Sequence, residues 1–319
     1  MADPGVHFDN RVTRTLGVRI PIFSAPMGIV AKPPLVAAVS EAGAMGLVPG
    51  SLGTDVVRSD IRRTRELTDK PFGLNLPIAF LQDPGIIDMV VEEDIRFITT
   101  SAGSPDRFTA RLKDAGLTVY HVVPSLKAAE KAAAAGVDGL VVEGSEGAGF
   151  KNPREVSSMV LLPLIVSRLG LPVVAAGGMA DGASMAAAFA LGAEGVQMGT
   201  RMVASLEAGV HHNMKQAVVD AVETDTMLIN QHNAKPVRVL RTNSTAPFEY
   251  ASEGNPMALL ASILDLYEGG DLDASLPQLG QVAGRIDEVL PAADIIARTV
   301  AEFAAVVHGL NDRYLTAKV

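Results

Sequence analysis

Short runs of consecutive apolar residues, rather than alternating ones, recur along this chain at intervals of 21 to 33 residues. They are PIFSAPM from 21, AMGLVPG from 44, PFGLNL from 71, IRFITTS from 95, TVYHVVPS from 118, GLVVEGSE from 139, PVVAAGG from 172 and GVQMGT from 195. A strand covered on both faces needs apolar side chains at successive positions, which is the condition of a parallel sheet wrapped by helices. Between the runs lie Ala-rich or amphipathic stretches, several ending in Gly just before the next run, as in SEAGAMG, LKDAGLTV, AAAAGVDG and ALGAEGV. Gly takes the left-handed conformation that closes a helix. Eight such units predict an α/β protein of the (β/α)8 TIM-barrel type, with a doubly wound sheet as the competing architecture. After GVQMGT the rhythm stops, and NMKQAVVDAVE, NPMALLASILDLYEGG and DIIARTVAEFAAVVHGLNDR read as helices and loops. The expected organisation is a barrel over 1–205, a helical and loop addition covering the substrate at the barrel mouth over 206–290, and a C-terminal helix over 291–319 that packs on the barrel.

Composition narrows the class. A length of 319 residues suits one such barrel, and 48% hydrophobic residues with 20% charged ones is ordinary for a globular chain. The formal charge of −9 argues against a polyanion as main partner, so nucleic acid is not expected. The opening MADPGVHFDN carries neither a leader pattern nor a lipidation signal, and no apolar stretch is long enough to span a bilayer. A cytoplasmic protein with a small-molecule partner is expected, and a homodimer is entertained. The chain has no cysteine, which removes disulfides, thiol nucleophiles and Cys-ligated metals. Redox chemistry would then need an organic cofactor.

In a (β/α)8 barrel the site lies where strands end. That filter selects Pro26, Met27, Asn75, Ser101, the stretch from Glu143 to Phe150, Gly177, Gly178, Gly199 and Thr200. The seventh and eighth runs end in AAGGMADG and QMGTR, where glycines let backbone N–H groups approach an anion, in the loops where such barrels hold phosphate. Tight turns are the plainer reading of any one of these glycines; two sets at the two expected loops favour a phosphate site. The stretch GSEGAG lacks the Gly-x-Gly-x-x-Gly order of a dinucleotide fingerprint.

Taken together, PIFSAPM, KPFGLNL, EGSEGAG, AAGGMADG and MGTRM resemble, in order and spacing over about residues 12–205, the nitronate monooxygenase family, formerly called 2-nitropropane dioxygenases. Its relatives include flavin-dependent enoyl-acyl-carrier-protein reductases, NADH:quinone reductases and flavoenzymes acting on CoA thioesters in steroid breakdown. The resemblance implies FMN, with its phosphate at Gly177, Gly178, Gly199 and Thr200 and its ring near Met27 and Asn75. Pro26, Glu143, Gly144, Gly149 and Met198 belong to the same implied cofactor set. NAD(P)H as electron donor stays open.

Two departures from the family pattern matter. Family members with nitronate or enoyl-reductase activity carry Glu-Ala-Gly-Gly-His in the sixth loop, its histidine being the acid/base residue; here the loop is Glu146, Gly147, Ala148, Gly149, Phe150. A phenyl ring packs but cannot relay a proton. Many relatives place a Lys after the histidine of the fifth strand, where this chain has Val122. The catalytic residue is therefore unknown. Alternation turns His121 outward if Val122 faces in. His232, Tyr250 and Asn243 lie in the addition that completes the pocket, and are weak acid/base candidates. Glu143 reads equally as a ligand to ribityl hydroxyls or as a solvated carboxylate, and Glu146 as structural. Lys151 with Asn152 directly follows the loop; it reads as surface decoration or, with Phe150, as part of the substrate pocket facing an acidic group such as a CoA phosphate. His211 and His212, with no carboxylate at metal-ligand spacing, read as surface residues, and no metal is expected. Ser145 sits in no nucleophile elbow.

Three functions follow in order. The first is an FMN-dependent oxidoreductase exchanging hydride between FMN and a C–C bond conjugated to a carbonyl, as in an acyl-CoA thioester. The second is a nitronate monooxygenase acting on preformed nitronates with O2, for which a missing base is less damaging. The third is a non-catalytic flavin-binding protein.

Overall fold

The computed structural model describes residues 6–81, 83 and 85–314. Residues 1–5, where the reading of the N-terminus begins, and 315–319 of the expected last helix lie outside the described residues. All eight apolar runs form strands: β1 (Ile22–Ser24), β2 (Gly46–Pro49), β3 (Phe72–Pro77), β4 (Phe97–Ser101), β5 (Thr118–Val123), β6 (Gly139–Glu143), then, after a two-residue strand β7 (Gly149–Phe150), β8 (Val173–Ala176) and β9 (Gly195–Met198). They pair in parallel in the order β1-β9-β8-β6-β5-β4-β3-β2. The ends meet through a parallel bridge between Phe23 and Met45, with the Met45 N–H donating to Ile22 O at 2.9 Å and the Ser24 N–H to Met45 O at 3.0 Å. The sheet is a nearly closed TIM barrel, as the count of eight implies.

Six of the eight barrel strands or the residues beside them feed two cores, which is why their apolar runs are continuous. Phe23, Met45, Leu47, Phe97, Tyr120, Val141, Val174 and Ala176 fill the barrel interior, where the Phe97 ring meets those of Phe23 and Tyr120 at 5.6 and 5.3 Å. Their neighbours Ile22, Val48, Leu74, Ile98, Val119, Leu140, Ala175 and Val196 face outward into the core shared with the helices. The long helix Ala292–Tyr314 lies along Gly182–Ala190, and its Phe303 joins Phe8 and Phe189 in an aromatic cluster outside the barrel. The C-terminal helix thus packs on the barrel. Among the described residues no helix is long and apolar enough to cross a membrane.

The segment after β9 departs from the expectation of helices and loops alone. It contains β10 (Thr226–Ile229) and β11 (Val237–Leu240), an antiparallel pair that adds β7 as its third strand, with Val237 opposite Phe150 and Arg238 opposite Gly149. These runs are four residues each and lack a long period, so their partner in the sixth loop cannot be read locally. The loop after β6 is consequently held as a strand edge. Buried Arg238 ties it further, donating from Nε to Ser145 O at 3.0 Å and pairing with Glu155 at 3.2 Å. Met227, Ile229, Val237, Val239 and Leu276 form a small core of their own behind this sheet.

Candidate active site

Alternation along the strands decides what faces the barrel mouth. Above the interior aromatic layer the inward positions become polar or small: Asn75 on β3, Thr99 on β4, Val122 on β5, Glu143 on β6, Ala176 on β8 and Gln197 on β9. Glu143, Ala176 and Gln197 stand level across three adjacent strands. Over them opens a cavity of about 900 Å³, lined by the ends of the strands and by Gln278 and Gly280 from the addition. A volume of this order is that of a small-molecule or cofactor site.

Pro26, Met27, Asn75, Ser101, Glu143, Gly149, Gly177, Gly178, Gly199 and Thr200 all line this cavity. The buried Asn75 amide donates to Thr99 Oγ1 at 3.0 Å and to Ser101 Oγ at 3.2 Å, which fixes its orientation. Gly177 and Gly178 have φ of +84° and +76°, a conformation that side-chain-bearing residues rarely adopt. Thr200, buried, accepts the Gly280 N–H at 2.9 Å on Oγ1 and still carries a hydroxyl proton to donate. Gln197, which the strand motifs did not single out, has a buried Oε1 with no protein partner among the described residues and lies on the cavity wall. An acceptor left in that state matches a ligand that brings donors, as the ribityl hydroxyls and ring N–H of a flavin do. The residues present therefore fit a flavin such as FMN: Gly177, Gly178, Gly199 and Thr200 line the cavity with backbone and hydroxyl groups that would suit a phosphate, and Asn75 and Gln197 would suit the polyol or ring. The sequence signal for Gln197 was a polar residue interrupting an apolar strand at an inward position.

Other expected residues are placed elsewhere. Met198 is fully buried in the outer core, its side chain turned away from the barrel, and its carbonyl accepts the Ala25 N–H at 2.9 Å; a side-chain role toward the cofactor is corrected by strand alternation. Gly144 donates its N–H to Ala176 O at 3.0 Å and lies behind the loop, off the main cavity. Glu146 accepts the Ser158 N–H at 3.0 Å and the Ser158 hydroxyl at 2.8 Å, securing the start of helix Ser158–Val166. His232 is exposed with Nε2 at 3.0 Å from Gly254 O, Tyr250 is exposed, and Asn243 donates to Asp273 at 2.9 Å; none of the three lines the cavity. His211 caps the helix that follows it by accepting the Asn213 N–H at 3.2 Å.

Phe150 stands at the cavity mouth, 46% exposed, with its ring 5.9 Å from that of Phe80, another exposed aromatic on the rim. Lys151 is buried rather than decorative: its side chain is 4% exposed and Nζ lies 2.6 Å from Glu143 Oε1. Glu143, its side chain 28% exposed, is thereby the ion-pair partner of Lys151 on the cavity wall.

His121 is buried, with Nδ1 2.7 Å from Thr100 Oγ1, and Thr100 shares its outward face on the adjacent strand. Burial pushes its imidazole down to about 4, against a smaller opposing contribution from a hydrogen bond to the Gly103 backbone. In the unfolded chain the ring takes its proton near pH 6.5, before the folded one does, so stability rises with pH between about 4 and 6.5 and falls on acidification. One pKa unit corresponds to about 1.36 kcal/mol, so this group removes roughly 3 kcal/mol between pH 7 and pH 4. Urea unfolding at the two pH values is expected to show a smaller acid loss in His121→Gln than in wild type. Equal losses would mean that His121 is not held neutral.

Comparison with known proteins agrees with this geometry. The family model described as nitronate monooxygenase matches residues 9–85 and 80–302. A "(3aS,4S,5R,7aS)-5-hydroxy-7a-methyl-1-oxo-octahydro-1H-indene-4-carboxyl-CoA dehydrogenase" of Rhodococcus jostii (strain RHA1) is 36% identical over 252 residues, 79% of this chain and 70% of the relative. A nitronate monooxygenase of Paraburkholderia phytofirmans is 28% identical over 93% of this chain and 95% of its own. Among solved structures, FabK from Thermotoga maritima superposes with a TM-score of 0.89 at 38% identity, covering 95% of this chain and 99% of that one. A nitroalkane oxidase of Streptomyces ansochromogenes gives 0.81 at 25% identity over 93% and 99% of the two chains. With the flavin-fitting cavity at the mouth of its TIM barrel, the chain belongs to the nitronate monooxygenase family of oxidoreductases.

Proposed function

We propose that this protein is an FMN-dependent oxidoreductase that exchanges hydride between FMN and a C–C bond conjugated to a carbonyl, with acyl-CoA thioesters as the substrate class. The observation that carries the reading is the phenyl ring of Phe150, in place of an imidazole, on the aromatic rim of a cavity of about 900 Å³. FMN, when bound, accepts or donates the hydride. The chain supplies position and electrostatics: Asn75 and Gln197 orient polar edges, Phe80 and Phe150 cover the acyl portion and exclude water, and Lys151 with Glu143 brings fixed charge to the wall. Hydride added at the β carbon of an enoyl thioester leaves an enolate whose α carbon takes a proton from solvent at the cavity mouth, and the reverse reaction returns that proton to solvent, so the chain's part is placement and stabilising charge at the carbonyl oxygen. The name of the Rhodococcus relative, a CoA dehydrogenase, supports the thioester class.

Oxidation of preformed nitronates is the second reading, favoured by one feature: a nitronate is already an anion and would meet the Lys151 ammonium without needing a base. A non-catalytic binder is the weakest reading, since the cavity and its flavin-fitting residues are intact. A cytoplasmic address, a homodimeric state and NAD(P)H as donor belong to the first proposal. Its test is the visible spectrum of the purified protein, recorded anaerobically before and after NADH, NADPH and a set of saturated and unsaturated acyl-CoA thioesters. Bleaching by a nucleotide or saturated thioester, and recovery with an enoyl thioester, is expected. A flavin whose oxidation state responds to no thioester would reject the class, and oxygen uptake with propionate 3-nitronate would then favour the second reading.

A further inference from the structure

The pairing of Lys151 with Glu143 is a feature of the cavity that the family resemblance did not supply. Glu143 occupies the last inward position of β6, and Lys151 directly follows Phe150 on the strand edge formed by β7, its backbone N–H donating to Pro236 O at 2.8 Å. The two side chains meet across the loop at 2.6 Å, 4% and 28% exposed. The loop glycine leaves room for them: a Cβ on Gly147 would fall 2.5 Å from Glu143 Oε1 and 2.8 Å from Lys151 Nζ. Both residues line the main cavity and also a void of about 20 Å³ behind it, room for about one water.

An ammonium carries three donors. Among the described residues, Glu143 Oε1 is the protein acceptor found for Lys151, so donors remain for a water or a ligand on the cavity side. A buried cation without partners is costly, and the carboxylate at 2.6 Å pairs with it and aims it. Beside the pair Val122 faces inward from β5, and Phe150 stands at the mouth. A fixed positive charge in such a setting acts most strongly on negative charge that develops inside the cavity.

We infer that Lys151 is the site's oxyanion donor, held in place by Glu143, and that it hydrogen-bonds the oxygen that carries negative charge in the substrate: the enolate oxygen of an acyl thioester or an oxygen of a nitronate. This rests on the proposed function and deepens it, because it assigns to Lys151 the electrostatic part of a role that Phe150 cannot perform. No proton transfer by Lys151 is required, and Glu143 is the positioning residue.

The test compares anions with neutral partners of similar shape, using the flavin-loaded protein. Acetoacetyl-CoA, whose enolate has its own ultraviolet band, is paired with 3-hydroxybutyryl-CoA, and ethyl nitronate with nitroethane. Wild type is expected to bind the enolate or the nitronate more tightly than its neutral partner. Lys151→Met should weaken the anion at least 30-fold while changing the neutral compound less than threefold, and Lys151→Arg should recover most of the difference. Because Lys151→Met leaves a carboxylate unpaired, the double variant Lys151→Met with Glu143→Gln, which leaves no charge, is measured beside it. Equal weakening of both members of a pair would show that Lys151 only holds the loop, and an enolate band retained in the variants would overturn the donor role outright. If wild type binds anion and neutral partner alike, the donor role fails and the substrate reading stands. Binding of neither pair would remove both.

Discussion

Gly178→Ala is expected to lower the affinity for FMN by roughly 100-fold, about 2.7 kcal/mol, while the apoprotein stays folded. The geometry separates the two effects. At φ +76° an alanine is strained by about 1–2 kcal/mol, which acts on the protein with and without ligand and should move its melting temperature by a few degrees. Sterically the protein itself tolerates the methyl group: its nearest neighbours would be Glu146 Cβ and Cγ at 3.7 and 3.9 Å, ordinary contact distances. What cannot share that space is an anion drawn close to the backbone N–H groups of a loop that lines the cavity. Gly177→Ala is a weaker test, because its Cβ would press on Gly144 O at 3.0 Å and the Gly147 N at 3.2 Å and so disturb two loops at once. Quenching of FMN fluorescence gives the affinity and circular dichroism the fold. Unchanged FMN binding in Gly178→Ala would place the phosphate elsewhere.

Phe150→His is expected to act in the opposite direction, as a gain. The position is 46% exposed on the cavity mouth and its ring is of nearly matching shape, so the substitution should cost little stability. An imidazole there would restore a group that titrates near neutrality, and positioned acid/base groups contribute about 10² to 10⁴-fold. With nitroethane in its neutral form, turnover should rise by at least roughly 10²-fold over wild type and increase with pH through the range near 6.5, since the neutral ring is the base. Activity with the preformed nitronate should change far less, because no proton has to be removed. A variant whose rate is unaltered and flat with pH would show that the side chain at 150 does not reach the reacting carbon.

The barrel was legible in the sequence because its information is local. Apolar runs without alternation, glycines closing the helices between them and a count of eight define (β/α)8 units from neighbours in the chain, and the rule that sites lie at strand ends selects Asn75, Gly177, Gly178 and Thr200 from the sequence alone. Continuous apolar runs do not say which of two alternating faces looks into the barrel. Tertiary structure settled that: it turned Met198 into the outer core and brought Gln197 to the cavity, while His121, on the outward face of β5, still touches the cavity's edge. Contacts between distant segments were equally hidden. Val237 pairs with Phe150 and Arg238 reaches Ser145, so the loop's shape depends on strands whose runs of four residues carry no period of their own. Lys151 shows the same physics in one side chain. By sequence it is a lysine after a loop, ordinarily solvated; once the chain from the addition pairs with that loop, the lysine is carried inward and the carboxylate ending β6 becomes its counter-charge. The chain's periodicity determined the scaffold, and only the packing of remote segments decided which charges and rings face the substrate.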